Sequence, residues 1–85
     1  MTGIRFEIEQ VFDLPTRGGL IASGRITAGS VRAGLTLRDQ ETGETVRVIG
    51  VELMAPPVDR PDQAAIIVDR RDSAAVRQGG TLIAD

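Results

Sequence analysis

The sequence predicts an all-β protein that forms one small closed barrel of about six short strands. Apolar and polar residues alternate with the period of two that is typical of strands with one face in a core. Glycine and proline recur between these segments, and no amphipathic helix of about ten residues occurs. A chain of 85 residues suffices for one domain, residues 1–85, and closing its sheet removes the exposed edges that would otherwise aggregate.

The first strand is predicted to begin at Ile4, and its apolar residues alternate with charged residues as far as Ile8. Val11 and Phe12 break this alternation. A β-bulge, which places two residues of one strand opposite one residue of its neighbour, accounts for such a break. We therefore expect a bulge near Gln10.

Residues 13–19 are predicted as a loop. Pro15 cannot donate a ladder hydrogen bond, and the glycines that follow it permit positive φ angles. The second strand is predicted over Gly19–Ala28. A glycine inside a strand, here Gly24, indicates either a bend or a point where another backbone comes close.

The next segment is predicted as a turn followed by a hairpin. Gly29 and Gly34 bracket the turn, and the third strand is predicted from Leu35 to Asp39. Residues 40–44 form a predicted hairpin loop in which the glycine supplies the unusual backbone angle.

The fourth strand, predicted over Thr45–Met54, is the longest and the richest in β-branched residues. Its inward face is expected to switch at Gly50, as at a barrel corner. The inward residues before and after the switch are Val46 and Val48, then Val51 and Leu53.

The last segments complete the predicted barrel. Residues 55–62 contain three prolines and are predicted as a loop. A strand over Ala64–Val68, a connection over 70–78 with one helical turn, and a closing strand over Thr81–Ala84 follow. A barrel this narrow is filled by its own side chains, so we expect function to lie on the outer surface and the loops, not in an internal cavity.

Four sequence blocks, taken in order, carry a family resemblance. They are VF-x-L-P at residues 11–15 before a Gly-rich loop, GRITAGSVRAGLTL at 24–37, VRVIGVE at 46–52, and VRQGGTL at 76–82. Together they resemble the second domain of translational GTPases such as elongation factor Tu. The resemblance extends to the end of the chain and implies a Greek-key barrel that packs against a GTPase domain and contacts tRNA or the ribosome.

The sequence lacks the nucleotide-binding motif of a GTPase domain. No G-x-x-x-x-G-K-[ST] loop occurs, and the chain contains no lysine, so the phosphate cradle of a P-loop GTPase cannot be built from it. We therefore expect no nucleotide and no other cofactor. Met1 and the complete closing strand favour a whole gene product over an excised domain.

Composition argues against several other classes of function. Cysteine and histidine are absent, so disulfides, Cys/His metal sites and the commonest nucleophile and general base are excluded. The net charge of −2 and the two aromatic residues argue against a general nucleic-acid surface. No apolar stretch approaches the ~20 residues of a membrane span, which favours a cytoplasmic protein. Three carboxylate pairs are disfavoured as catalytic or metal sites: Glu7/Glu9, Glu41/Glu44 and Asp59/Asp62. Glu7 and Glu9 alternate with core residues and are interpreted as the solvated face of a strand.

Two candidate binding residues lie in the second predicted strand. Arg25 either reaches a phosphate or carboxylate on a partner or pairs with Glu7 or Glu9 on the neighbouring strand. Thr27 stands where translation factors that carry aminoacyl-tRNA typically have an acidic residue. The resemblance at that position therefore implies a weakened contact to tRNA.

Three further candidates are arginines in predicted connections. Arg17 lies in the loop before the second strand and is expected to be an exposed contact. Arg70 and Arg71 lie between Asp69 and Asp72. They form either a solvated turn with self-neutralising pairs or a docking patch.

The sequence leads to two hypotheses about function, because a fold alone does not determine one. The leading hypothesis is a non-catalytic binding module that docks on a protein partner, such as a GTPase or a product of a neighbouring gene. The alternative is an RNA-binding accessory factor that contacts tRNA or the ribosome. An enzyme is disfavoured, because the residues that most often act as nucleophile or general base are absent.

Overall fold

A computed structural model of the chain describes residues 3–14, 19–53 and 63–84. These residues form six strands and one 3₁₀ helix: β1 (Ile4–Leu14), β2 (Gly19–Ala28), β3 (Thr36–Asp39), β4 (Thr45–Leu53), β5 (Gln63–Asp69), the 3₁₀ helix (Arg70–Ala75) and β6 (Thr81–Ala84). The bounds of β2 and β6 are those that the sequence predicts.

The six strands close into an antiparallel barrel in the order β1-β2-β5-β4-β3-β6. Strands β3, β4 and β5 are consecutive neighbours, and β6 returns to lie beside β3, which is a Greek key. The predicted all-β fold, a closed six-stranded Greek-key barrel, is therefore confirmed.

Apolar side chains from all six strands fill the interior of the barrel. The largest of these with almost no exposed surface are Phe6, Leu37, Ile66, Leu82, Val46, Val48 and Val68. Phe6 is the one aromatic residue among them, because Phe12 is 46% exposed. The barrel is held together by packing of medium-sized aliphatic side chains around a single ring, so the loss of that ring would leave a large void.

Two bulges change the face that a strand presents to the core. On β1, Ile8 pairs with Gly24 and Gln10 pairs with Ser23, so Glu9 is the extra residue and the predicted bulge near Gln10 is confirmed. On β4 the register shifts between Val48 and Gly50, as expected. The extra residue there is Ile49, next to the glycine that the sequence singled out.

Gly24 is a point of close backbone approach. A side chain at this position would overlap the carbonyl oxygen of Glu7 on the neighbouring strand. Of the two readings of this glycine, the structure therefore supports close packing between β1 and β2. Any residue with a Cβ atom would force the two strands apart at the bulge.

Four predicted boundaries are wrong. The strand predicted over Ala64–Val68 extends one residue further at each end, because Gln63 and Asp69 also pair with β2. The predicted loop 13–19 is too long, because Asp13 pairs with Leu20 and Leu14 pairs with Gly19. The ladder depends on backbone groups, which a charged side chain such as that of Asp13 leaves available.

The third strand begins one residue later than predicted. Leu35 belongs to a turn, in which its N–H donates to the carbonyl oxygen of Arg32 at 3.4 Å. Gly34 has φ = +94° and makes that turn possible. Met54 and the predicted loop 55–62 lie outside the described residues, as do 15–18.

The predicted helical turn within residues 70–78 is the 3₁₀ helix, which closes one end of the barrel. Asp69 caps its start by accepting from the backbone N–H of Arg71 at 2.9 Å. Asp72 accepts from the backbone N–H of Arg47 on β4 at 3.1 Å, and Ala75 is buried against the core. None of the described residues belongs to a helix with the length and apolar character needed to cross a membrane.

Candidate functional site

A row of apolar side chains crosses the outer face of four strands. Ile21 on β2 and Ile67 on β5 point outward, because the residues on either side of each pack in the core. Phe12 also points outward, since its neighbour Val11 packs against the core. Phe12 pairs with Ile21, Ile21 with Ile67, and Ile67 with Gly50, so these positions form one line across strands about 4.8 Å apart.

Ile49 extends this row beyond β5. The terminal Cδ1 atom of Ile49 lies 3.4 Å from the position that a Cβ would occupy on Gly19. The Cδ1 atom of Ile67 lies 3.4 Å from the same position on Gly50. Both distances are those of ordinary van der Waals contacts, so the two isoleucines lie against the backbone of the barrel.

We call Phe12, Ile21, Ile67 and Ile49 the outer apolar strip. Ile21 is only 8% exposed, whereas Phe12 and Ile49 at its two ends are 46% and 47% exposed. Among the described residues, these two are the large hydrophobic side chains with the greatest exposure. Contiguous exposed apolar surface, in contrast to single exposed side chains, is typical of interaction sites.

One side of the outer apolar strip is bordered by paired charges. The Arg70 Nη2 atom lies 2.8 Å from Asp13 Oδ1, and it also donates to the carbonyl oxygen of Gly19 at 3.4 Å. The Arg71 guanidinium lies 3.1 Å from Asp69 Oδ2, although its side chain is 89% exposed. Arg71 therefore pairs with a carboxylate of its own turn, as the self-neutralising interpretation expects, whereas Arg70 pairs with Asp13 on β1.

The pair of Asp69 and Arg71 shifts the pKa of both groups. The side-chain hydrogen bond from Arg71, with a second from its backbone N–H, holds the pKa of Asp69 below its ordinary value. The hydrogen bond to Asp69 raises the pKa of Arg71 in turn. The two groups remain ionised at neutral pH, so this border of the strip presents both signs of charge.

The other predicted residues lie at the far end of β2. Arg25 is directly opposite Glu7 on β1 and Gln63 on β5, and Gln63 Nε2 donates to Glu9 Oε1 at 2.8 Å. Glu9 and Arg25 each have interactions of their own within the chain. Arg25 therefore belongs to a polar belt about 13 Å along the strands from the outer apolar strip.

Thr27 is the extra residue of a third register shift, between Arg5 and Phe6 of the facing strand. Its hydroxyl donates to the carbonyl oxygen of Arg5 at 3.4 Å. Thr27 is about 25 Å along β2 from Gly19, where Arg70 binds. The structure thus places Thr27 and Arg25 at one end of the barrel and the Arg70 pair at the other, and Arg17 lies outside the described residues.

The structure contains an ion pair with a buried carboxylate that the sequence did not predict. Asp39 is 1% exposed and is held by two hydrogen bonds from Arg77, Nε to Oδ2 at 3.1 Å and Nη2 to Oδ1 at 3.2 Å. Burial by itself raises the pKa of Asp39. The backbone N–H of Glu41, which donates at 3.0 Å, and the Arg77 guanidinium outweigh that effect, so the pKa lies below its ordinary value.

This pair ties the end of β3 to the turn before β6. Because its donors saturate the carboxylate of Asp39, that group is poorly placed to act as a general acid or base. No cluster of three potential metal-ligating residues occurs in the part of the chain that the structure describes.

The outer apolar strip was missed because its signal is spread over the chain. Phe12 follows one break in alternation and Ile49 is the extra residue of another, and such breaks change which face of the strand a side chain lies on. The sequence indicated both breaks, but only the strand order brings the two positions to one face. No protein-family model matches the chain, and a search of curated proteins finds no match.

Proposed function

We propose that this domain is a non-catalytic binding module that docks on a protein partner through the outer apolar strip. The observation that carries the proposal is the half exposure of Phe12 and Ile49 at the two ends of one apolar row. Aromatic residues are enriched in protein interfaces, and Phe12 is the aromatic side chain of this row.

The energetics favour such an interface. Covering the exposed parts of Phe12 and Ile49 would remove on the order of 150 Å² of apolar surface from water, worth about 4 kcal/mol. Ile21 and Ile67 lie between them and are already largely buried, so these two side chains are packed in place before a partner binds. Side chains that are already packed lower the entropic cost of ordering the surface when a partner binds.

The chemistry of the partner follows from the border of the strip. Arg70 and Arg71 are each balanced by a carboxylate, so the border offers both signs of charge and no excess of either. A partner with an apolar patch rimmed by both acidic and basic residues is complementary to it. The resemblance to translation-factor second domains supports a GTPase domain as that partner, because those domains pack against one.

RNA binding, the alternative, requires a different surface. Contacts to phosphates release counterions, so the affinity of an RNA complex falls steeply as salt rises. An apolar interface loses far less affinity over the same range of salt. Salt and nuclease sensitivity therefore separate the two hypotheses.

The test is affinity capture with the wild-type domain and with the double variant Phe12→Ser, Ile49→Ser. We expect the wild type to retain a protein that resists nuclease and about 0.5 M salt. The double variant should lose it. Arg38→Ala is the matched control, because Arg38 is an exposed residue of β3 outside the strip.

The captured protein is then purified and titrated with each variant by calorimetry. A protein with a P-loop GTPase domain that binds the wild type and the control, but binds the double variant at least about tenfold more weakly, supports the proposal. Equal binding by the double variant would exclude the strip. Bound RNA that nuclease releases would favour the alternative. Circular dichroism of the double variant must show an intact fold.

A further inference from the structure

A second site lies at the end of the barrel opposite the 3₁₀ helix, where β1 begins and β2 ends. A cleft of about 280 Å³ opens there, and we call it the end cleft. Its lining residues are Ile4, Gly29, Ser30, Arg32 and Leu35. None of them belongs to the outer apolar strip, so this site is independent of the proposed function.

The wall of the end cleft is held in place by close packing against β1. Gly29 has φ = +68°, and a Cβ on it would lie 2.6 Å from the carbonyl oxygen of Gly3. A residue other than glycine would therefore be strained and would clash. Two residues further on, the buried side chain of Val31 anchors the connection in the core.

The turn that carries Arg32 is also fixed. Its carbonyl oxygen accepts from the N–H of Leu35, and Gly34 supplies the positive φ that a type II turn needs at its third position. The N–H of Gly34 donates to Val48 on β4 at 2.8 Å, and Val48 donates back to Leu35 at 2.9 Å. The backbone around the cleft is therefore preorganised, which favours binding.

The charge in the end cleft is unbalanced. No carboxylate of the described residues lies within ion-pair distance of Arg32, whereas Arg5, Arg70, Arg71 and Arg77 each have one. The lining of the cleft thus combines an arginine and a serine with the aliphatic residues Ile4 and Leu35.

This combination selects the class of ligand. A guanidinium binds a carboxylate through two parallel hydrogen bonds, and a serine hydroxyl can donate one more. The aliphatic wall favours a carboxylate that carries an apolar side chain over a fully hydrated anion such as phosphate. We propose that the end cleft binds the free C-terminal carboxylate of a peptide that ends in an aliphatic residue.

The probe is N-acetyl-leucine, titrated into the ¹⁵N-labelled chain and followed by ¹H–¹⁵N correlation spectra. We expect saturable shifts of the Ser30 and Leu35 amides and of the Arg32 Nε–H resonance, with a Kd in the millimolar range of about 1–10 mM. N-acetyl-leucinamide, which lacks the charge, should bind at least about tenfold more weakly. Acetate, which lacks the side chain, and inorganic phosphate should also bind more weakly.

Two variants make the test specific. Arg32→Gln should abolish the saturable shifts, and Arg38→Gln should leave them unchanged, because Arg38 is an exposed arginine away from the cleft. The Phe12→Ser, Ile49→Ser variant should bind the probe normally, so a failure at the strip does not affect this result. Equal binding of acid and amide, tighter binding of phosphate, an equal loss in both arginine variants, or no saturation by about 20 mM would overturn the proposal.

Discussion

Two regions of this barrel reverse the usual distribution of polarity. The outer apolar strip leaves Phe12 and Ile49 nearly half exposed, whereas the pair of Asp39 and Arg77 places a carboxylate in the interior. The buried carboxylate of Asp39 accepts hydrogen bonds from its own chain. The side chains of Phe12 and Ile49 remain about half exposed to solvent. The ion pair is therefore complete within the fold, whereas the outer apolar strip is the surface on which we propose that a partner docks.

The comparison also separates stability from function. Removing a partner from a buried charge leaves an uncompensated group and destabilises the fold. Removing a half-exposed side chain forfeits only part of its burial. Substitutions at the ion pair should therefore act on folding, and substitutions at the strip should act mainly on binding.

Phe6→Ala sets the scale for a loss from the core. Phe6 is fully buried, so its truncation would leave a void among aliphatic side chains. We expect the free energy of unfolding to fall by about 3–5 kcal/mol, measured by urea denaturation. A fall of less than about 1 kcal/mol would mean that the interior relaxes freely around the cavity.

Arg77→Met tests whether the buried pair is structural. The variant keeps an apolar stem but leaves the Asp39 carboxylate without its guanidinium partner. We expect a loss of about 2–4 kcal/mol, somewhat less than for a fully buried pair because the Arg77 side chain is 43% exposed. The companion double variant Asp39→Leu, Arg77→Met should recover part of this loss. A double variant no more stable than Arg77→Met would contradict the explanation.

The loss of stability at acidic pH should depend on Asp39. Its pKa is lowered in the folded state, so the folded chain keeps this carboxylate ionised where the unfolded chain, with a pKa of about 3.9, binds a proton. The stability it contributes is fully present above about pH 5 and is lost as pH falls through the lowered folded pKa. In urea denaturation from about pH 7 to pH 2, the free energy of unfolding should fall less steeply with decreasing pH in Asp39→Asn than in the wild type. An equal fall in both proteins would mean that other carboxylates dominate the pH dependence of stability.

Ile49→Ser should have a smaller effect on folding than either change at the buried pair. Ile49 is 47% exposed and lies on a bulge, so only about half of its side-chain surface is buried. Truncation loses the burial of that half, which costs about 1 kcal/mol. Thermal unfolding followed by circular dichroism measures the change. A loss as large as that of Arg77→Met would show that the strip is part of the core and not a free surface.

Arg70→Ala should be the mildest of these changes. Arg70 and Asp13 are both largely exposed, at 44% and 58% of their side chains, so solvent screens their attraction. We expect a cost of about 0.5 kcal/mol in the same thermal assay. A cost above about 1.5 kcal/mol would indicate that the bond to the Gly19 carbonyl oxygen, not the ion pair, holds this end of the barrel.

The sequence by itself determined the strands and most of their limits. Alternation is a local property, so it places β2 at Gly19–Ala28 and β6 at Thr81–Ala84 without knowledge of the partner strands. The breaks near Gln10 and Gly50 were visible for the same reason. The start of the first loop was not, because backbone pairing at Asp13 and Leu14 depends on the strand that they face.

Only the tertiary structure decided which side chains meet. Asp39 and Arg77 are 38 residues apart, and Ile4 meets Arg32 only because β1 and the connection after β2 reach the same end of the barrel. The outer apolar strip needs four strands in the order β1-β2-β5-β4, together with a bulge on the first and the last. Closure of a barrel is a non-local event, and its register determines which outward positions become neighbours.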